Sequence, residues 1–232
     1  MNESAWVLIG STARLKMGRC SGFLFRGKMN TTDILKTLEK YEGLTKEEIA
    51  GVVGYSLGIK RPKALNRILV ARLLSLLGVE REDLSRAGLE LKTIRLGMDG
   101  NPKEHMSFPA FDYIELAGQS WATSDFHNML RTTFLFAVFV EEEGGCERLH
   151  KVGTWLMPPE DLEEARLVWE DTRARILSGS TDFCGINSNP VAHVRPHARN
   201  GADKTPFPSG KLWIRSSFWL NSSYVRSIVG DL

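Results

Sequence analysis

Residues 133–140 read Thr-Phe-Leu-Phe-Ala-Val-Phe-Val, an apolar run with no charge between Arg131 and Glu141. A run this short, rich in aromatic and β-branched side chains, is the pattern of a central buried strand. A buried strand needs neighbours to take up its backbone hydrogen bonds. Four other stretches offer them: Leu89–Leu96, 106–114, 148–157 and 191–195. The first two, separated by a turn at Met98-Asp-Gly-Asn-Pro102, are expected to pair as a hairpin.

Helical periodicity fills the rest. Thr32 or Asp33 is expected to cap a first helix that carries Ile34, Leu35, Leu38 and Tyr41 on one face and stops at Gly43. Thr45-Lys-Glu-Glu48 has the form of a capping box and opens a second short helix. Pro62 suits the start of a third, with Leu65, Ile68, Leu69, Leu73, Leu76 and Leu77 at three-and-four spacing and Gly78 at its end. Residues 121–131 read as a helix capped by Thr123 or Ser124, and 160–177 as a long helix closed by Gly179.

The 232 residues suit one large domain or two small ones. Thirty basic and 28 acidic residues leave a net charge of +2, which neither demands nor excludes nucleic acid; where the charge sits matters more. Cys20, Cys146 and Cys184 are far apart, with no Cys-x-x-Cys. That argues against a disulfide framework or a thiolate zinc site and fits a cytoplasmic protein. No apolar run reaches the length of a membrane span. Residues 1–28, with five basic residues, one acid and no clear periodicity, read as a disordered extension or a mis-assigned start; the orderly pattern begins at Met29.

Chemistry is concentrated in two places. The first is Asp83 to Lys92. Glu90 and Lys92 stand two apart in a strand and so project from the same face, with Leu89 and Leu91 on the other. Asp83, seven residues earlier and before the Ala87–Gly88 break, can turn back towards that face. Two carboxylates can hold Mg²⁺ through oxygen, and a lysine beside them can orient water or offset charge on a phosphate. The residues alone also fit a solvated polar face. The second place is 191–219, where His193, Arg195, His197, Arg199, Asn200 and Lys204 precede Phe218-Trp219. A basic loop bearing Asn and Arg between short strands can enter a DNA groove, arginine suiting guanine and asparagine adenine; it can equally be an ordinary solvated loop. The basic residues Lys60, Arg61, Lys63, Arg67 and Arg72 around the third helix are likewise either solvated or phosphate-facing.

Leu89-Glu-Leu-Lys-Thr-Ile94, preceded by Asp83 and followed by Gly100-Asn-Pro102, resembles the catalytic segment of the MutH mismatch-repair endonucleases. Leu44 to Gly54 resembles their N-terminal helical segment. Val194-Arg-Pro-His-Ala-Arg-Asn-Gly201 resembles their DNA-reading loop, and Phe218-Trp-Leu220 their C-terminal aromatic strand. Together these span about residues 30–230 in unchanged order. Ser107 to Phe111, Met157-Pro, Asp161-Leu-Glu163 and Ala192 to Asn200 are closer to the second half of the related Sau-type restriction endonucleases that cut GATC.

The resemblance implies a restriction-endonuclease-like α/β domain over residues 29–232, with a mixed central sheet, flanking helices and a C-terminal DNA-recognition lobe. It implies an Mg²⁺-dependent endonuclease acting at or next to GATC in double-stranded DNA, in restriction or mismatch repair. Asp83 and Glu90 would bind the metal and Lys92 would position the attacking water. Arg195, His197, Arg199, Asn200, Lys204 and Trp219 would contact DNA. A MutL-type activator or a cognate methyltransferase would be the partner. In the Sau-type enzymes the first half cuts and the second is an allosteric DNA-binding module, so a GATC-binding module without cleavage is the alternative. Three departures bear on that choice. Leu74 aligns with a further MutH glutamate, Met129 with a lysine, and His197 with the lysine of the reading loop.

Overall fold

A computed structural model describes residues 30–59 and 61–232. The disordered-extension reading of residues 1–28 lies outside the described residues, as do Cys20 and Lys60. The element order is α1 (Thr31–Glu39), α2 (Lys46–Val52), α3 (Leu65–Leu76), α4 (Arg81–Arg86), β1 (Leu89–Leu96), β2 (Met106–Ala110), α5 (Tyr113–Gly118), α6 (Asp125–Leu130), β3 (Thr133–Glu141), β4 (Glu147–Trp155), α7 (Pro159–Leu177), β5 (Ala192–Pro196), β6 (Lys204–Pro206), β7 (Leu212–Ile214), β8 (Ser216–Leu220) and α8 (Ser222–Asp231).

The apolar run is the axis of the fold. β3 lies between β1, to which it is parallel, and β4, to which it is antiparallel. Its side chains alternate between two cores. Phe134, Phe136 and Val138 enter one with Ile94, Phe108, Val168 and Phe218. Leu135, Ala137 and Phe139 enter the other with Ile34, Leu38, Leu69 and Leu73. All six are fully buried, so both faces of this mixed sheet are covered. The helical stripe on α1–α3 covers one face, and α7 packs with α5, α6 and β5 beyond the other. This is the restriction-endonuclease-like α/β arrangement.

A second sheet, in the order β2-β8-β5, is antiparallel throughout, and β6 with β7 forms a short ribbon beside it. Residues 106–114 do not form a hairpin with β1. Beyond the Asp99–Asn101 turn only an isolated bridge joins Leu96 to Pro102, and β2 pairs with β8 instead. Pro109 within β2 has no N–H to give a ladder, which suits its edge position and the irregular register between Ser107 and Ala110. The strand also ends early, because Asp112 accepts hydrogen bonds from the backbone N–H of Ile114 and Glu115 and starts α5.

Other boundaries follow capping chemistry. The Thr45–Glu48 capping box is present, with each residue bonding the other's backbone N–H. Asn30, rather than Thr32 or Asp33, caps α1. Ser124 caps α6 and so divides 121–131 into a short 3-10 turn and a helix. α3 starts three residues after Pro62, whose carbonyl accepts the Leu65 N–H.

Candidate active site and nucleic-acid face

β1 does what its alternation dictates. Leu89 and Leu91 turn into the helical core, while Glu90 and Lys92 lie on the opposite face. Lys92 Nζ is 2.8 Å from a Glu90 carboxylate oxygen. The same ammonium lies 5.2 Å from the ring centroid of Phe108 and 5.7 Å from that of Phe134. Most of the lysine is therefore removed from water and held by a carboxylate and two π-faces. Glu90 is half exposed and opens onto a groove of about 710 Å³. α3, α4 and β1 form one side of it, and Pro109 of β2 with Met129 and Thr132 the other. Leu74 and Met129 line this groove together with Glu90. Two of the three positions that depart from the MutH pattern thus share the groove with Glu90, although they are far from it in the sequence.

Asp83 is placed differently. It lies in the first turn of α4, where one carboxylate oxygen accepts the Glu80 backbone N–H at 2.9 Å and the other is 3.5 Å from Arg86. The carboxylate at the start of α4 that lines the Glu90 groove is that of its N-cap residue Glu80, which accepts a hydrogen bond from Ser75. Among the described residues no three His, Cys, Asp or Glu side chains stand close enough to hold a metal by themselves. A hard divalent cation needs only one or two carboxylates when water and phosphate oxygens complete its shell. Glu90 suits that chemistry by its exposure on the groove wall, whereas Asp83 is committed to its helix cap.

The second cluster forms on the β2-β8-β5 sheet. His193 pairs with Trp219 and Arg195 with Ser217, so strand alternation places all four on one face, while Val194, Phe218 and Leu220 fill the core behind. The Arg195 guanidinium lies 5.0 Å from the Trp219 ring centroid, and His197 stands 5.1 Å from it on another approach. His197 Nδ1 is 3.0 Å from the Ser217 hydroxyl. Arg199 and Asn200 sit in the exposed turn that follows. The Arg199 backbone N–H donates to Asp203, and the Asn200 side chain accepts from Ala202 N–H. Lys204 opens the β6–β7 ribbon, with its side chain exposed. Arg195, His197 and Trp219 thus come together, with Arg199, Asn200 and Lys204 along the adjoining turn.

His193 does not belong to that accessible set. It is buried, its Nδ1 is 2.6 Å from Asn221, and its ring meets His105 edge-on. His105 in turn accepts the Ser222 N–H. Nothing local in the sequence marks this pair, because His105 and His193 meet only when β2 and β5 flank β8. Burial, and secondarily the charge of Arg195, hold both imidazoles below their ordinary pKa of 6.5, and His105 lowers that of His193 further. For His193 the Asn221 bond opposes that shift without reversing it. Protonation is therefore easier in the unfolded chain. Stability is unaffected above about pH 6.5 and falls as the pH drops below it, down to the folded-state values. Thermal midpoints measured between pH 7.5 and 5 should show this decline, and His193→Gln should flatten it. A decline of equal size in the variant would remove His193 as its source.

The family model described as DNA mismatch repair enzyme MutH matches residues 78–168, from the turn before α4 into α7. That span contains Asp83, Glu90, Lys92 and Met129. The type II restriction enzyme Sau3AI of Staphylococcus aureus is 27% identical over 225 residues, covering 75% of this chain and 46% of that protein. The chain is thus similar to the MutH repair enzymes and the Sau-type restriction enzyme. It spans about half the length of the restriction enzyme but nearly all of a MutH: the DNA mismatch repair protein MutH of Vibrio parahaemolyticus is 27% identical over 85% of this chain and 92% of its own. The MutH of Vibrio vulnificus is 32% identical over 123 residues, about half of each chain. The likeness to MutH proteins therefore runs well beyond residues 78–168. No described helix is long and apolar enough to cross a membrane.

Proposed function

We propose that residues 29–232 form an endonuclease domain that hydrolyses phosphodiester bonds at or next to GATC in duplex DNA with Mg²⁺, in restriction or mismatch repair. The observation that carries this reading is Glu90 on the wall of an open groove, with Lys92 held 2.8 Å behind it, in a chain similar to the MutH and Sau-type enzymes. Glu90 would hold the metal, joined by Asp83 if the first turn of α4 releases it from Glu80. A bound divalent ion would polarise the phosphate and lower the pKa of the attacking water. Lys92, kept oriented by Phe108 and Phe134, would place that water and offset charge growing on the phosphate. Arg195 and Asn200 suit base edges, His197 and Trp219 the adjoining sugar and base, and Arg199 and Lys204 the phosphates. A cognate methyltransferase or a MutL-type activator would be the partner.

A second reading is a GATC-binding module that does not cut. Leu74 and Met129 favour it, since they make the groove apolar beside Glu90. One experiment separates the two. Purified protein is incubated with unmethylated GATC plasmid, with Mg²⁺ or EDTA, beside a gel shift on the same site. Mg²⁺-dependent nicking or cutting is the expected result. GATC-selective binding without cleavage would establish the second reading, and neither binding nor cleavage would sink both.

A further inference from the structure

The basic residues around α3 part company in the fold. Arg61 pairs with Glu47 at 2.8 Å, and Arg72 lies over the Tyr55 ring at 4.9 Å. Arg67 does neither. It lines the Glu90 groove on a helical stripe with Ala64 and Ala71, three residues before it and four after. Arg81, the first residue of α4, lines the same groove. Both arginines are exposed, and among the described residues neither is in an ion pair. They therefore offer planar forks of donors to a ligand and not to the protein.

The charges around them set the sign of that ligand. Of the two carboxylates lining the groove, Glu90 is neutralised by Lys92 and Glu80 takes the Ser75 hydroxyl. Past Pro109, Met129 and Thr132 the groove continues into a second one of about 500 Å³, walled by Asp112, Glu115 and Asp125. An anionic chain is repelled from that end and drawn to the arginines. Resting on the DNA-acting reading above, we propose that Arg67 and Arg81 form a phosphate clamp that seats the DNA backbone in the Glu90 groove, independently of the base-reading face at Arg195.

Each phosphate contact releases counterions, so it leaves a mark in the salt dependence of binding whether or not the protein cuts. The experiment is fluorescence anisotropy of a labelled GATC duplex, and of a scrambled duplex, over a range of KCl concentrations with EDTA present. Arg67→Gln and Arg81→Gln should each reduce the slope of log K against log salt by about one, and the double variant by about two, equally on both duplexes. Arg67→Lys should keep the slope, and Lys36→Ala, on the exposed face of α1, should not change it. Circular dichroism melts check that the Gln variants fold; the charge-keeping Lys variant provides the comparison should either fail. Wild-type binding with unchanged slopes in the variants would overturn the clamp and leave the DNA-acting reading standing. A wild-type protein that binds neither duplex would overturn both.

Discussion

Under the proposed function, Glu90→Ala is expected to reduce cleavage by on the order of a thousandfold or more and to leave DNA binding intact. The size follows from what is removed. A carboxylate-held divalent ion contributes several kcal/mol of transition-state stabilisation, and about 1.4 kcal/mol is tenfold in rate. Binding persists because Glu90 is not among the residues argued to hold DNA, and because the change removes a negative charge from the groove in which the DNA backbone is proposed to sit. It also frees Lys92 from its 2.8 Å partner, so binding at low salt should hold or tighten. Steady-state cleavage and a gel shift on the same preparation check both halves. Cutting at the wild-type rate would remove Glu90 from the chemistry. Loss of binding together with cutting would show that the variant damages the groove and not only the reaction.

Glu147→Ala lowers stability by about 3–5 kcal/mol, the usual result of orphaning one side of a buried ion pair. Glu147 is almost wholly buried at the start of β4. Its carboxylate lies 3.1 Å from Lys46 of α2, accepts from Asn66 of α3 at 3.0 Å and from Arg95 of β1 at 3.1 Å. One side chain thus ties four elements, and its loss strands Lys46, which is itself buried. At 2–4 °C per kcal/mol for a chain of this size, the thermal midpoint should fall by roughly 10 °C. Lys46→Met with Glu147→Leu should recover much of the loss, since it removes the buried charge instead of isolating it. Burial raises the Glu147 pKa, but the bonds from Asn66 and Lys46 and the charges of Lys46 and Arg95 outweigh it and leave it below 4.5. The stabilisation is therefore present above about pH 4.5 and is lost as the pH falls through the lower folded-state value. A midpoint within 2 °C of wild type for Glu147→Ala would mean that the cluster does not hold these elements together.

What the sequence settled by itself is what depends on near neighbours along the chain. The bounds of β1 match its alternation, and β3 its apolar run. The Thr45–Glu48 capping box formed, as did the positive-φ stops at Gly43, Gly78 and Gly179. The Glu90–Lys92 contact was equally legible, because side chains two apart on a strand share a face whatever surrounds them. Tertiary structure decided the rest. β2 carries no mark of its partner, since Met106 pairs with Leu220 more than a hundred positions away, and a turn beside it suggests a hairpin just as well. Asp83 sits seven residues from Glu90 in the chain, yet a helix cap a few atoms away competes for its carboxylate. Arg67, Arg61 and Arg72 look alike in sequence; Glu47, Tyr55 and the open groove give them three different surroundings. Local bonding and periodicity fix elements because their energetics lie within a few residues. Pairing, burial and the charge that a side chain faces depend on contacts between distant segments, and those exist only once the two cores have closed on β3.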